Sequence, residues 1–175
     1  MRSVLPRNFC TSAHIGGQVL TLEGQTCSLD TAFTRTIREM NDYNRRLIEE
    51  FRAHGGKVGG MWEGTPLLLL TTRGAKSGER RTTPMGYMPE GDRLIVFASS
   101  GGAPTHPDWY HNLVAHPQVT VEVGTETFDA IAVVAEDEER DRLWTKGVAL
   151  YPSLAEHQAK TTRQIPVIAL SRQER

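Results

Sequence analysis

The sequence is poor in the features that announce many protein classes. Cysteine occurs only at positions 10 and 27. A bridge between them stays open, but so few thiols point to a cytoplasmic chain, and no zinc site follows from them. No apolar run approaches the ~20 residues of a membrane span, and Arg2 and Arg7 are followed by no continuous apolar segment, so no signal peptide is read. The formal net charge is only -1, which gives no support to a nucleic-acid partner. The pair Lys76-Ser77 follows Ala75 rather than glycine, which excludes a P-loop. His106, His111 and His116 are separated by steps of five, which turn successive side chains about 140° around a helix, so they do not share a metal-binding face.

What the chain does have is local. Leu67 to Leu70 feed Thr71 and Thr72 and then break into Arg73-Gly74-Ala75-Lys76-Ser77-Gly78-Glu79-Arg80-Arg81. Two glycines let the backbone bend and crowd its N–H groups, while Arg73, Lys76, Arg80 and Arg81 stand against the single carboxylate of Glu79. Such a concavity suits a phosphate or carboxylate; a solvated basic hairpin is the plainer alternative. The compensating acid lies elsewhere, in residues 136–141.

At 175 residues the chain is long enough for one domain with a real core. Residues 1–27 show no sustained period and read as a mobile N-terminal extension; residues 28–175 form the domain. Ser28 or Asp30 caps a predicted amphipathic helix whose stripe is Phe33, Ile37, Met40, Leu47 and Phe51, ending at His54-Gly55-Gly56. A membrane-surface role for this helix is the sharper alternative to a packed one. Strands are predicted over 66–73, 80–89, 93–99, 118–123, 127–135 and 165–170, the last with Pro166 at an edge or bulge. Pro107-Asp108 opens a short helix that Pro117 stops; a further helix runs from Asp137 to Leu150 and another from Ser153 to Lys160. Six short strands with helices outside them make an α+β chain whose sheet most easily closes into a small barrel.

On that frame, residues from about 66 to 170 resemble the deazaflavin-dependent nitroreductase and quinone reductase family. The matching pieces are Leu69-Leu70-Thr71-Thr72 with Gly74, Lys76, Ser77, Gly78 and Arg81; Pro84; Ala98-Ser99 with Gly101-Gly102-Ala103; Pro107, Trp109-Tyr110 and Asn112-Leu113; Tyr151-Pro152-Ser153; and Ile165-Pro166. The resemblance implies an FMN-binding-like split β-barrel and, as cofactor, the deazaflavin coenzyme F-420. It implies hydride transfer from the reduced coenzyme to a quinone or nitro acceptor. Leu70, Thr71, Lys76, Ser77, Gly78, Arg81, Pro84, Met85, Ser100, Gly101, Gly102, Trp109 and Asn112 are the implied cofactor residues. The turn and the Ser-Gly-Gly loop would hold its phosphate and glutamyl tail.

Tyr151 is the candidate to stabilise charge arriving on the acceptor oxygen, with Ser99 behind it. Leu154 and His157 stand where nitroimidazole-activating relatives carry further tyrosines, which marks them as acceptor-side residues and favours quinones. For Trp109, Tyr110 and Tyr151 ordinary packing is the competing expectation. An FMN-dependent split-barrel oxidoreductase and a non-catalytic deazaflavin carrier are the alternative functions. A homodimer, and a peripheral contact with the inner face of the membrane through the N-terminal helix, are the remaining expectations. No metal is expected.

Overall fold

The computed structural model of the chain describes residues 29–173. The proposed arm, both cysteines and the Ser28 cap lie outside the described residues. Compactness divides the chain between Arg38 and Glu39, so the helix α1, Leu29–Ala53, gives its first turns to one unit and its last turns to the other. Helix α1 begins one residue before Asp30 and ends where predicted, with Gly55 at φ 61° taking the left-handed position. Its stripe is buried only in part. Leu47 and Phe51, four apart, pack on Leu67 and Leu69 together with Ile48 and Val58, whereas Met40 is 57% exposed. The side chains of Phe33 and Ile37 lie outside the described residues.

Seven strands follow: β1 Leu67–Arg73, β2 Arg80–Gly86, β3 Met88–Glu90, β4 Arg93–Phe97, β5 Gln118–Val123, β6 Glu126–Val134 and β7 Val167–Arg172. Three further helices are α2 Asp108–Ala115, α3 Asp137–Leu150 and α4 Ser153–Ala159. All strand pairs are antiparallel, in the order β2-β1-β5-β6-β7-β4-β3.

The extra strand corrects the reading of residues 80–89 as one. That segment breaks at Tyr87, and its two halves lie at opposite edges of the sheet. With one residue between them, the edges must come together at Tyr87, so the twisted sheet curls round on itself as a split barrel and its open edges are brought to one seam. The Tyr87 N–H, donating to the Pro66 carbonyl at 3.2 Å, continues the first half along β1.

The run of leucines in β1 is buried on both faces, and the strand period of two sorts it. Leu68 and Leu70 enter the barrel core with Val96, Leu113, Val121, Ile168 and Leu170; Leu67 and Leu69 face α1. In the same way Ile95, Val167 and Ala169 turn outward to Leu143 of α3 and to Met88. Each such leucine, isoleucine, valine or methionine contributes roughly 1.5–3 kcal/mol by leaving water. The expected edge or bulge position for Pro166 is not found: β7 lies inside the sheet between β6 and β4, and Pro166 immediately precedes it. A proline costs no ladder bond there, and its carbonyl still accepts the Ala98 N–H at 3.0 Å.

Candidate active site

The basic turn closes on itself. The Gly78 N–H donates to the Gly74 carbonyl at 2.9 Å, and the Gly74 N–H donates to the Glu79 carbonyl at 2.8 Å. Asn112 then locks the turn to the barrel from α2: its Oδ1 accepts the Ala75 N–H at 3.0 Å, and its Nδ2 donates to the Thr72 hydroxyl at 3.2 Å. Asn112 and Thr72 are the two buried polar side chains of the described core, 7% and 1% exposed. Among the described residues nothing accepts the N–H of Lys76 or Ser77. The tip of the turn thus offers two unused donors beside an exposed ammonium, the donor set an anion requires. Arg81 is exposed and leans on Glu79 at 3.3 Å; Arg80 reaches away to the Thr120 hydroxyl at 2.9 Å.

Beside the turn lies a cleft of about 530 Å³ between the end of α1, β2 and α2. Its lining includes Arg45, Thr72, Arg81, Thr83, Trp109 and Asn112. Trp109 is partly buried and packs on the barrel core, as the packing expectation had it, while also lining the cleft. Tyr110 and Met85 pack on that core too. Leu70 is fully buried, Pro84 is buried, and the Thr71 hydroxyl is paired with that of Thr82 at 2.8 Å.

The second loop is shaped by strain and held by one side chain. Ser100, Gly101 and Gly102 all have positive φ, at 47°, 63° and 84°, and for a serine that conformation is uncommon. A Cβ on Gly101 would meet nothing within 4 Å, while one on Gly102 would lie 2.6 Å from the His157 carbonyl oxygen. The loop therefore packs on α4 at Gly102 and presents open backbone at Gly101. Arg163 grips it: Nε donates to the Ala103 carbonyl at 2.8 Å, Nη2 to the Ser99 carbonyl at 2.8 Å, and Nη1 to the Ala98 carbonyl at 3.1 Å. Sequence reasoning missed Arg163, since a long-range partner of carbonyls leaves no period or motif.

Tyr151 follows α3, and its hydroxyl donates to the Tyr87 carbonyl at 2.7 Å, at the seam of the barrel. Burial, and then the neighbouring Tyr87, push its pKa up, so it remains a neutral phenol. On α4, Leu154 is buried and offers a ligand little surface, whereas His157 is half-buried with an Nδ1 that has no hydrogen-bond partner.

A sequence model described as F-420H(2)-dependent quinone reductase matches residues 43–172. An F-420H(2)-dependent quinone reductase of Mycobacterium tuberculosis is 39% identical over 129 residues, which cover 70% of this chain and 85% of that protein. A solved structure described as an F-420-H2-dependent reductase, FDR-A, is 43% identical with a TM-score of 0.56, over 61% of this chain and 94% of that one. Another, described as a domain-swapped dimer, is 38% identical with a TM-score of 0.59, over 79% of this chain and 98% of that one.

Proposed function

The chain belongs to the F-420H(2)-dependent quinone reductase family, and on that premise we propose how its residues hold the coenzyme and the acceptor. The enzyme is an oxidoreductase that passes a hydride from reduced coenzyme F-420 to a quinone. When bound, the reduced deazaflavin supplies that hydride; binding, alignment and exclusion of water fall to the protein.

The residues present fit such a group, a flat ring on an anionic stalk. The observation that carries the reading is the turn that Asn112 fixes, with Lys76 and two unused N–H donors at its tip, beside a cleft walled by Trp109 and Arg81. Lys76, the N–H groups of Lys76 and Ser77, Gly78 and Arg81 take the anionic stalk, with Lys76 as a point charge and Arg81 able to contact two oxygens at once. Trp109 makes the wall, and Leu70, Thr71, Pro84 and Met85, which do not line the cleft, support the strands behind it. Asn112 acts by keeping the turn in place. Ser100, Gly101 and Gly102 bring backbone close to the ligand, and the open space at Gly101 supports that role.

Tyr151 is assigned to the acceptor oxygen. Its raised pKa supports a phenol that keeps its proton and can lend it as a hydrogen bond. Doing so requires giving up the bond to the Tyr87 carbonyl, so Tyr151→Phe should lower kcat more than it raises KM for the quinone. A change in thermal stability alone would leave Tyr151 as a strut of the seam. Ser99 is the weaker candidate, and His157 borders the acceptor while buried Leu154 acts only by packing beneath it.

The test of the whole reading is titration of the purified protein with coenzyme F-420 and, separately, FMN, followed by turnover of a menadione-type quinone with the reduced coenzyme. Tight F-420 binding with turnover supports it. Preference for FMN would overturn the cofactor assignment, and binding without turnover would make the chain a carrier. A homodimer is a further proposal, supported by the solved relative described as a domain-swapped dimer and checked by light scattering. No described helix is long and apolar enough to cross a membrane. A peripheral contact through α1 is proposed from exposed Met40 and Tyr43 and checked by liposome sedimentation.

A further inference from the structure

We propose that Arg163 is a positioning residue for coenzyme binding: its guanidinium holds Ala98–Ala103 in the one shape that presents Ser100 and Gly101, and His106 governs that grip. This rests on the reading that the Ser-Gly-Gly loop contacts the coenzyme.

The geometry is specific to arginine. One planar group donates to three carbonyls, those of Ala98, Ser99 and Ala103, which bracket the three residues with positive φ. Strained backbone of this kind persists only when its surroundings over-determine it. A lysine has three donors on a single nitrogen and cannot span both ends of the loop. Arg163 is itself held. The Gln158 amide donates to the Arg163 carbonyl at 2.7 Å and accepts the Ile165 N–H at 3.0 Å, and the Arg163 N–H donates to the Thr161 hydroxyl at 3.3 Å. The strut is therefore organised before any ligand arrives.

The fourth contact makes the grip pH-sensitive. Arg163 Nη1 lies 3.1 Å from His106 Nδ1. A guanidinium only donates, so Nδ1 must carry a lone pair and the imidazole must be neutral, with its proton on Nε2. Protonating His106 would set N–H against N–H and cation against cation. The titratable groups facing His106 are Arg163 from the segment after α4, and Tyr110 and His111 from α2, with ring centroids at 4.7 and 5.9 Å. None is a carboxylate that could neutralise the imidazolium. Burial first, then the charge of Arg163, then His111, lower the His106 pKa from its ordinary 6.5. The grip is therefore intact at neutral pH and yields only as the pH falls below the ordinary histidine range.

The experiment measures coenzyme F-420 affinity calorimetrically in steps from about pH 8 down to the lowest pH at which the chain stays folded, with steady-state kinetics and thermal unfolding, for the native chain, Arg163→Lys, Arg163→Gln, His106→Asn and Gly101→Asn. Asparagine tolerates the left-handed conformation at 101 while filling its open space. Both Arg163 variants should bind the coenzyme at least about tenfold more weakly, the equivalent of one charge-assisted hydrogen bond, with coenzyme KM rising far more than kcat falls. The native chain should lose more affinity in acid than His106→Asn does, any titration of the coenzyme being common to both. If Gly101→Asn binds normally, the loop does not touch the coenzyme, and the reading beneath the proposal fails with it. If Gly101→Asn binds weakly while the Arg163 variants bind normally, the loop reading stands and the role of Arg163 is overturned. A loss confined to thermal stability, with the acid dependence unchanged in His106→Asn, equally overturns it.

Discussion

Replacing Asn112 with alanine should cost stability and coenzyme affinity together, because one amide serves both the core and the turn. Thr72 is 1% exposed, and its hydroxyl loses the Asn112 Nδ2 donor. Stranding a buried polar group of this kind costs about 1–3 kcal/mol. The Ala75 N–H also loses its acceptor, but Ala75 is exposed and water can replace the bond, so about 0.5–1.5 kcal/mol is the appropriate loss there. The sum is roughly 1.5–4.5 kcal/mol, a large share of the ~5–15 kcal/mol that holds a typical domain folded. Urea unfolding followed by circular dichroism reads it without relying on Trp109, which sits one turn away on α2.

The attribution is checked by a cycle with Thr72→Val, which keeps the shape and removes the hydroxyl. In that background Asn112→Ala should cost about 1–2 kcal/mol less than in the native chain. Costs that add to within about 0.5 kcal/mol would refute the claim that Asn112 and Thr72 work as a pair. Equal coenzyme affinity in the native chain and in Asn112→Ala would refute the claim that this pair aims the turn.

Other outcomes follow from the same structure. Lys76→Ala and Arg81→Ala should weaken coenzyme binding more at low than at high salt. Both should leave unfolding within about 1 kcal/mol of the native value, since the Arg81–Glu79 pair is an exposed one; unaltered affinity in both would return the turn to a solvated hairpin. Hydrogen bonds from Arg142 and then Lys146 lower the Glu90 pKa from 4.5 to about 2. A depressed carboxylate pKa gives stability that is complete above the unfolded value and is lost as pH falls from 4.5 toward about 2. An acid titration should therefore destabilise the native chain more steeply across that window than Glu90→Gln, which breaks the tie from α3 to the β3–β4 hairpin at every pH. Gly147→Ala would drive a Cβ into the ring of Phe97. The overpacking of about 1–3 kcal/mol should outweigh the ~1 kcal/mol gained in helix propensity, and Phe97→Leu should restore part of the melting temperature.

Local signals carried most of the elements and few of the long-range ties. Pro107 and Pro117 bracket α2, and Asp137 opens α3 at the predicted residue, because capping and proline sterics act over a single turn. The break at Tyr87 was illegible. Gly86 lies directly before it, but a glycine inside a strand marks a bulge as readily as an end, and what divides residues 80–89 is barrel closure, a property of the whole sheet. Met40 fits the apolar stripe of α1 yet is exposed, since periodicity shows that a face is apolar and not what covers it. For Asn112 the resemblance implied a cofactor-side role, and the structure adds that its two described hydrogen bonds both go to the protein. Arg163 lies in a short polar segment whose sequence gives no hint of three carbonyls 60 or more positions away, the nearest of them at 103.

The two loops owe their relation to α2. A helix places residues three or four apart on one face, so Trp109 and Asn112 turn together toward the cleft and the basic turn. Tyr110, one residue on, is rotated about 100° away and stacks with His106, the contact of Arg163. One short helix, seated on the barrel through Leu113, therefore presents one face to the turn that would take the stalk and another to the clamp of the Ser-Gly-Gly loop. Neither loop could keep its relation to the other by its own hydrogen bonds, since the first closes on itself and the second is strained. A ligand that spans both must match the spacing that α2 imposes, which makes the helix the ruler of the site and places its burden on Leu113, the fully buried residue between the two faces.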